Sequence, residues 1–533
     1  MTVDSPMPIL SRRVQVGVAL CALSIWTAGE RSAPAADALW LDTARSSITA
    51  GELQAHAGFL ADDILEGREA GSRGGHAAAK YVLDRLEASG LEPAGFGGRF
   101  TQPFSGNSQN LLAVLPGTDP ALRDQYILVG AHYDHVGYGT RRNSYGPIGF
   151  IHNGADDNAS GVATLLEVID ALAQVDHRPR RSILFAFWDG EEKGLLGSKY
   201  WLRNPTVPVS SLQLAWNIDM VGRLEGGRIT IMGARTGAGL RQLLSSPALG
   251  DGTWVDFTWE YKDNSDHWTF YQAGIPSLCL HTGLHDDYHR PSDDVEKLNI
   301  EGMRLIGRYF LEQLCEMADA DQLPSFRSQS RFETPHSQKR FERPLPDLAP
   351  RIDFTWTFQA GTRPMLLVKQ APVRSRAGEA GLREGDAIVA VDAMPITSAA
   401  LLPAVALRNE TQITVTVERN GVDEPVTLEI PLTGEPASLG LSWREDPAEP
   451  GAVYVTRVVP FSPTALAGIE LFDRIYALDG APIQGQADLL ARVSEQLAGN
   501  TKSLRLQIES RGQLRETVVS LELPSQDAGD VSL

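Results

Sequence analysis

Imidazole and carboxylate side chains recur along this chain at places where they could hold a metal. His132, Asp157, Glu192, Asp219 and His289 each stand at or just past the end of an expected strand, or just before an expected helix. Two imidazoles and three carboxylates make a nitrogen and oxygen donor set that suits Zn²⁺ and needs no thiolate. A carboxylate can bridge, so one Asp shared by two ions gives each ion three protein ligands and leaves room for a common water. Such ions sit roughly 3.5–4 Å apart. Glu191 and Glu192 are neighbours and therefore point in different directions, so one can grip a metal while the other faces the water. Taken singly, each position has a plain structural explanation: a helix cap, a turn carboxylate, a surface His. Five on one rim do not.

The elements that must place them can be read from periodicity. Ile183 to Trp188 is a short apolar run ending at Asp189-Gly190, the pattern of a buried strand closed by a turn. Gln125 to Ala131 reads the same way and leads into His132-Tyr133-Asp134-His135. The small, polar Gly154 to Gly161 runs into a helix with apolar face Val162, Leu165, Leu166, Ile169 and Leu172. Leu212 to Ile218 is a strand closing on Asp219, and Ile275 to Leu280 another, ahead of Tyr288-His289. Asn299 caps a last helix through Leu314. Strands alternating with helices predict an α/β domain, a mostly parallel mixed sheet sandwiched by helices. In such sheets ligands bind beyond the carboxyl ends of the strands.

Five segments in this order, H-x-D, G-A-D-D-N-A-S-G, E-E-x-G-L-x-G-S, N-I-D-M and Y-H, resemble the co-catalytic di-zinc aminopeptidases. These are relatives of the bacterial leucyl aminopeptidases and the glutamate carboxypeptidases, and glutaminyl cyclases share their fold. The likeness runs from about Leu65 to about Leu314. It implies the zinc exopeptidase fold and two Zn²⁺ ions. Asp157 would bridge them; His132 and Asp219 would complete one site, Glu192 and His289 the other. Glu191 would be the general base on the bridging water, and Asp134 would orient the His132 ring. The peptide bond after the bridging Asp is cis in the family, so Asp157–Asn158 is expected to be cis. Tyr288 either donates to the developing oxyanion or simply packs.

The implied activity is hydrolysis of N-terminal peptide bonds. A carboxypeptidase acting on acidic dipeptides is the alternative, and would need a basic anchor such as Arg141, Arg142 or Arg223. A glutaminyl cyclase uses one zinc, whereas both halves of the donor set are present here. An inactive scaffold is disfavoured because no ligand is missing. His135, His152, His281 and His285 match no family role and are expected at the surface or behind the ligands. Trp188, Trp216 and Trp268 are expected in the core, and Asp266-His267 recurs in the family near the substrate.

The net charge of −19 argues against a nucleic-acid partner. Cys21, Cys279 and Cys315 are too few to carry the fold through disulfides. Arg12-Arg13 followed by apolar Val14 to Trp26 has the form of an export signal, giving a leader over 1–38 and a periplasmic or extracellular protein. No later stretch is long enough to span a bilayer. The peptidase domain is expected over 39–320, a Pro-rich and charged linker over 321–348, and a tail over 526–533.

Between linker and tail lies a repeat. Ala380 to Asp392 aligns with Ala467 to Asp479, each followed by Pro-Ile. This A-G-L-x-x-G-D-x-I-x-x-V-D run resembles PDZ domains, predicting two small, mostly β modules over 349–433 and 434–525. PDZ domains capture extended peptides at a strand edge. Leu439-Gly440-Leu441 suits a carboxylate-binding loop, so a peptide or protein C-terminus is the partner expected of the second module. Asp353 in the first would repel such a carboxylate.

Overall fold

The computed structural model describes residues 35–524, apart from Ala248, Asp251 and Asn500. The expected leader lies outside the described residues except for 35–38, which open a helix, Ala35–Ser47. Cys21 and the tail 526–533 lie outside them as well.

Nine strands form the first sheet among the described residues: β1 (Glu92–Pro93), β2 (Thr101–Phe104), β3 (Ser108–Leu115), β4 (Tyr126–His132), β5 (Ser182–Trp188), β6 (Leu212–Ile218), β7 (Arg228–Met232), β8 (Trp254–Thr258) and β9 (Ser277–His281). Their order is β1-β3-β5-β4-β6-β9-β7-β8, with β2 on β3. The middle run β5-β4-β6-β9 is parallel throughout. Alternation along β5 shows why both faces need cover. Ile183, Phe185 and Phe187 pack with helices Ala50–Leu60, Arg73–Ala88, Gly161–Ala173 and Ile300–Asp319. Leu184, Ala186 and Trp188 face the other way, onto Trp201 and Phe270 of helices Leu196–Arg203 and His267–Gln272. Trp188 and Trp216 are fully buried, as expected of core residues, while Trp268 is half-buried.

Two further antiparallel sheets of six strands each follow, within 355–431 and 441–520. The sequence repeat is visible in their detail. Strands Ala387–Val391 and Arg474–Leu478 occupy matching places, and each is followed by an Asp with positive φ, Asp392 and Asp479. Each of these carboxylates accepts a backbone N–H from the neighbouring strand, Thr414 at 2.7 Å and Arg505 at 2.9 Å.

The stretch 321–348 is more ordered than its composition suggests. It holds a 3₁₀ turn, Ser328–Phe332, and a helix, Pro335–Phe341, capped by Thr334. Arg235 explains why. Its guanidinium lies 3.6 Å over the Trp259 ring and pairs with Glu333 of this stretch and with Asp446 of the C-terminal region. Phe341 packs between Trp259 and Tyr454. The same C-terminal sheet reaches the edge strand β8, where Val255 N–H donates to Arg511 O at 2.8 Å.

Candidate metal centre

The parallel run decides the site, because its strands all end on one rim. His132 is the last residue of β4, Glu191 and Glu192 follow the turn after β5, Asp219 follows β6, and His289 lies on the loop beyond β9. Asp157 comes from the segment before helix Gly161–Ala173, and the Asp157–Asn158 peptide is cis as expected. Asn158 sets that segment against the end of β6: its Nδ2 donates to Ile218 O (2.9 Å) and its Oδ1 accepts from Met220 N (3.2 Å). Gly161 is required here, since a Cβ would fall 2.2 Å from Asn158 Oδ1.

All five expected ligands converge. His132 Nε2 is 3.3 Å from Asp157 Oδ1 and 3.3 Å from Asp219 Oδ1. His289 Nε2 is 3.0 Å from Asp157 Oδ2 and 3.3 Å from Glu192 Oε1. Asp157 thus turns one oxygen to each imidazole. Both rings are set by a backbone carbonyl at Nδ1, Asp134 O at 3.1 Å from His132 and Asn143 O at 2.8 Å from His289, which leaves Nε2 inward. His289 and Met220 both have positive φ, 51° and 58°, a conformation uncommon for non-glycine residues.

The donors form two groups, His132-Asp157-Asp219 and His135-Asp157-Glu192-His289, each with its ligand atoms within 4.8 Å of one another. His289 Nε2 is buried and makes no hydrogen bond despite its close carboxylates. Nitrogen and oxygen donors converging this closely fit divalent cations, zinc first among them. The electrostatics agree. Burial opposes charge on His132, yet Asp219 and Glu191 hold its pKa well above the ordinary value. Burial opposes charge on His289 too, yet Asp157 and Glu192 raise it to about 11. The rim carries a surplus of negative charge that bound cations would neutralise.

Two residues stand differently from expectation. Asp134 orients the His132 ring through its carbonyl; its carboxylate lies 3.8 Å from Nδ1 and instead accepts the Glu191 amide at 3.0 Å. The side chain therefore places the expected base. His135 is buried, and its Nδ1 stands 2.8 Å from Glu192 Oε1, so it belongs to the second donor group. The H-Y-D-H spacing was the available sign, hidden because adjacent positions on an irregular segment have no predictable direction.

Around these lie the supports. The buried Arg68 donates to Tyr133 O and Gly154 O, both at 3.0 Å, tying the His132 segment to the Asp157 segment. Asp293 Oδ2 accepts the amides of Asp156 and Asp157, and its Oδ1 pairs with Arg223 at 2.8 Å. Glu191 has its pKa pushed well up by burial, then by Glu192, Asp266 and Asp219, against the opposing pull of His132. The Tyr288 ring stacks on His289, centroids 4.0 Å apart. His152 is buried and hydrogen-bonds Ser144 Oγ, and His285 Nε2 lies 3.1 Å from Asp156 Oδ2. Asp266 is buried, donated to by Ser198 Oγ at 2.5 Å, and His267 is buried beside it.

Residues 110–314 match the sequence profile of Peptidase family M28. This stretch is what the chain shares with that family. Leupeptin-inactivating enzyme 1 of Streptomyces exfoliatus is 29% identical over 236 residues, 43% of this chain and 48% of that protein. Leucine aminopeptidase 1 of Grosmannia clavigera is 27% identical over 296 residues, 52% of this chain and 69% of that protein. The chain therefore spans about half the length of the first and just over two thirds of the second. The crystal structure of Legionella pneumophila LapA aminopeptidase overlaps 53% of this chain and 75% of its own, at 19% identity and a TM-score of 0.43. M28 is a family of peptidases, hence of hydrolases.

Proposed function

We propose that the protein is an exported, zinc-dependent aminopeptidase that hydrolyses N-terminal peptide bonds. The observation that supports this most is the disposition of Asp157, one oxygen toward His132 and the other toward His289. His132, Asp157 and Asp219 would hold one zinc ion, and Asp157, Glu192 and His289 the other, with His135 as a further donor to the second. Ions bound there supply a water acidified toward neutral pH and a polarised substrate carbonyl.

The chain's own residues do the rest. Glu191, its backbone pinned by Asp134, takes a proton from the attacking water and delivers it to the leaving amine. Tyr288 donates to the oxyanion as it develops. A basic anchor for acidic dipeptides has less support, because Arg223 is already paired with Asp287 and Asp293. Arg141 and Arg142 are exposed.

The two C-terminal sheets are the PDZ-like modules of this reading, with the second offered to a peptide C-terminus. Asp353 in the first accepts the Arg376 and Ala377 amides at 2.7 and 3.2 Å, so it is spent on the start of helix Arg376–Glu379. Among the described residues no helix is long and apolar enough to cross a membrane.

The test is one substrate panel run with and without chelator: free and N-acetylated aminoacyl anilides, and dipeptides with acidic C-termini. The free aminoacyl anilides should be cleaved and their N-acetylated counterparts should not, with activity lost to chelator and restored by zinc. Equal cleavage of the N-acetylated series would overturn the proposal.

A further inference from the structure

The chain between His135 and His152 forms a loop that closes on itself beside the metal centre. Ser144 Oγ lies 2.7 Å from His152 Nε2 and accepts the Gly146 N–H at 2.8 Å, while the Gly149 N–H donates to Tyr138 O at 2.8 Å. The loop is also fastened to an expected ligand. The His289 ring donates to Asn143 O, the Tyr145 N–H donates to His289 O at 3.0 Å, and Arg290 Nη1 donates to Tyr145 O at 2.8 Å. Yet this well-bonded backbone turns three large apolar side chains to water: Tyr145, Ile148 and Phe150 are 65%, 46% and 60% exposed. The Tyr145 ring stands 6.1 Å from the His289 ring and 5.8 Å from that of Tyr288, so the patch begins at the edge of the site. Apolar side chains scattered singly over a surface need no explanation, but a group of them fixed at the rim of a site marks a contact surface.

What meets that surface follows from the topology of an exopeptidase reaction. The N-terminal residue of a substrate ends inside the site, so only the chain beyond the scissile bond runs out across the rim. An extended peptide advances about 3.3 Å per residue, so the first two or three residues after that bond pass a ring standing 6.1 Å from a ligand ring. We infer that Tyr145, Ile148 and Phe150 form a platform that selects peptides with apolar residues directly after the scissile bond. This rests on the proposed aminopeptidase activity and narrows its substrates to peptides whose second and third residues are apolar. Full burial of one apolar side chain corresponds to about 10–100-fold in affinity, and a platform open to water on one side belongs at the lower end of that range.

The experiment compares the full-length protein with Tyr145→Ser and Phe150→Ser, which keep the backbone bonds of the loop. Three substrates share an N-terminal leucine: leucinamide, leucyl-phenylalanyl-valinamide and leucyl-seryl-serinamide. In the parent, kcat/KM for the apolar tripeptide amide should exceed that for the seryl one by at least about 10-fold. Each variant should cut this ratio by at least about 3-fold. Leucinamide has no residue beyond the scissile bond, and both variants should hydrolyse it at the parent rate. A parent that cleaves the two tripeptide amides equally would overturn the inference and leave the aminopeptidase reading standing. So would ratios unchanged in both variants, or equal losses on all three substrates, which would assign the loop to the support of His289. A parent that cleaves none of the three would overturn the proposed function itself, and this inference with it.

Discussion

Asp293 holds Asp157 by its backbone: the buried carboxylate accepts the Asp157 amide at 3.2 Å and the Asp156 amide at 2.9 Å. Asp293 lies four residues beyond His289, so one side chain joins the loop of one expected ligand to the segment of another. Arg223 neutralises it from the far side. Asp293→Ala should cost about 3–5 kcal/mol of stability, because it leaves two buried amides without their acceptor and takes from the Arg223 guanidinium the nearer of its two carboxylates. Urea unfolding measures this, and a loss under about 1 kcal/mol would show that the segments are held otherwise.

Glu191→Gln keeps size and hydrogen bonding but cannot shuttle a proton. Turnover of aminoacyl anilides should fall by about 10²–10⁴-fold or more while zinc content stays at the parent level. Unchanged turnover, measured beside metal analysis, would remove Glu191 from the role of base.

Arg68 joins the His132 and Asp157 segments through buried carbonyls, and burial lowers its pKa to about 10, still far above neutrality. Arg68→Met should destabilise by about 3–5 kcal/mol, since stranded carbonyls are not compensated by an apolar chain. Thermal unfolding should show the loss in metal-free protein as well as in loaded protein. A change confined to the loaded form would tie Arg68 to metal binding alone.

His267 and His281 make acid sensitivity predictable. Burial lowers His267 to about 3 and His281 to about 4. Both folded values lie below the ordinary 6.5, so the unfolded chain binds protons that the folded chain refuses. Their contribution is complete above pH 6.5 and is lost as pH falls toward 4. For His267 alone the loss is about 3 kcal/mol by pH 4. His267 Nε2 lies 2.9 Å from Lys262 O, a contact that a glutamine amide can keep. His267→Gln should therefore lose less stability than the parent between pH 7 and 4.5. Identical losses in urea titrations at the two pH values would refute this.

The residues alone determined the kinds of donor and the elements carrying them. A strand announces itself through local apolar periodicity, and a polar break marks its end, so His132, Asp157, Glu192, Asp219 and His289 stood out before any fold was known. The C-terminal repeat was legible for the same reason, because it is a comparison of the chain with itself. Only tertiary structure could decide which atoms meet. Asp134 gives its carbonyl to His132 and its carboxylate to Glu191, and His135 joins Glu192, because irregular backbone after β4 sets directions that no periodicity encodes. Asp293 acts across 136 residues of sequence, and Arg235 reaches Asp446 across 211. Such pairings depend on strand order and on how sheets pack, which are non-local outcomes of burying apolar faces, and so a single chain read in order does not display them.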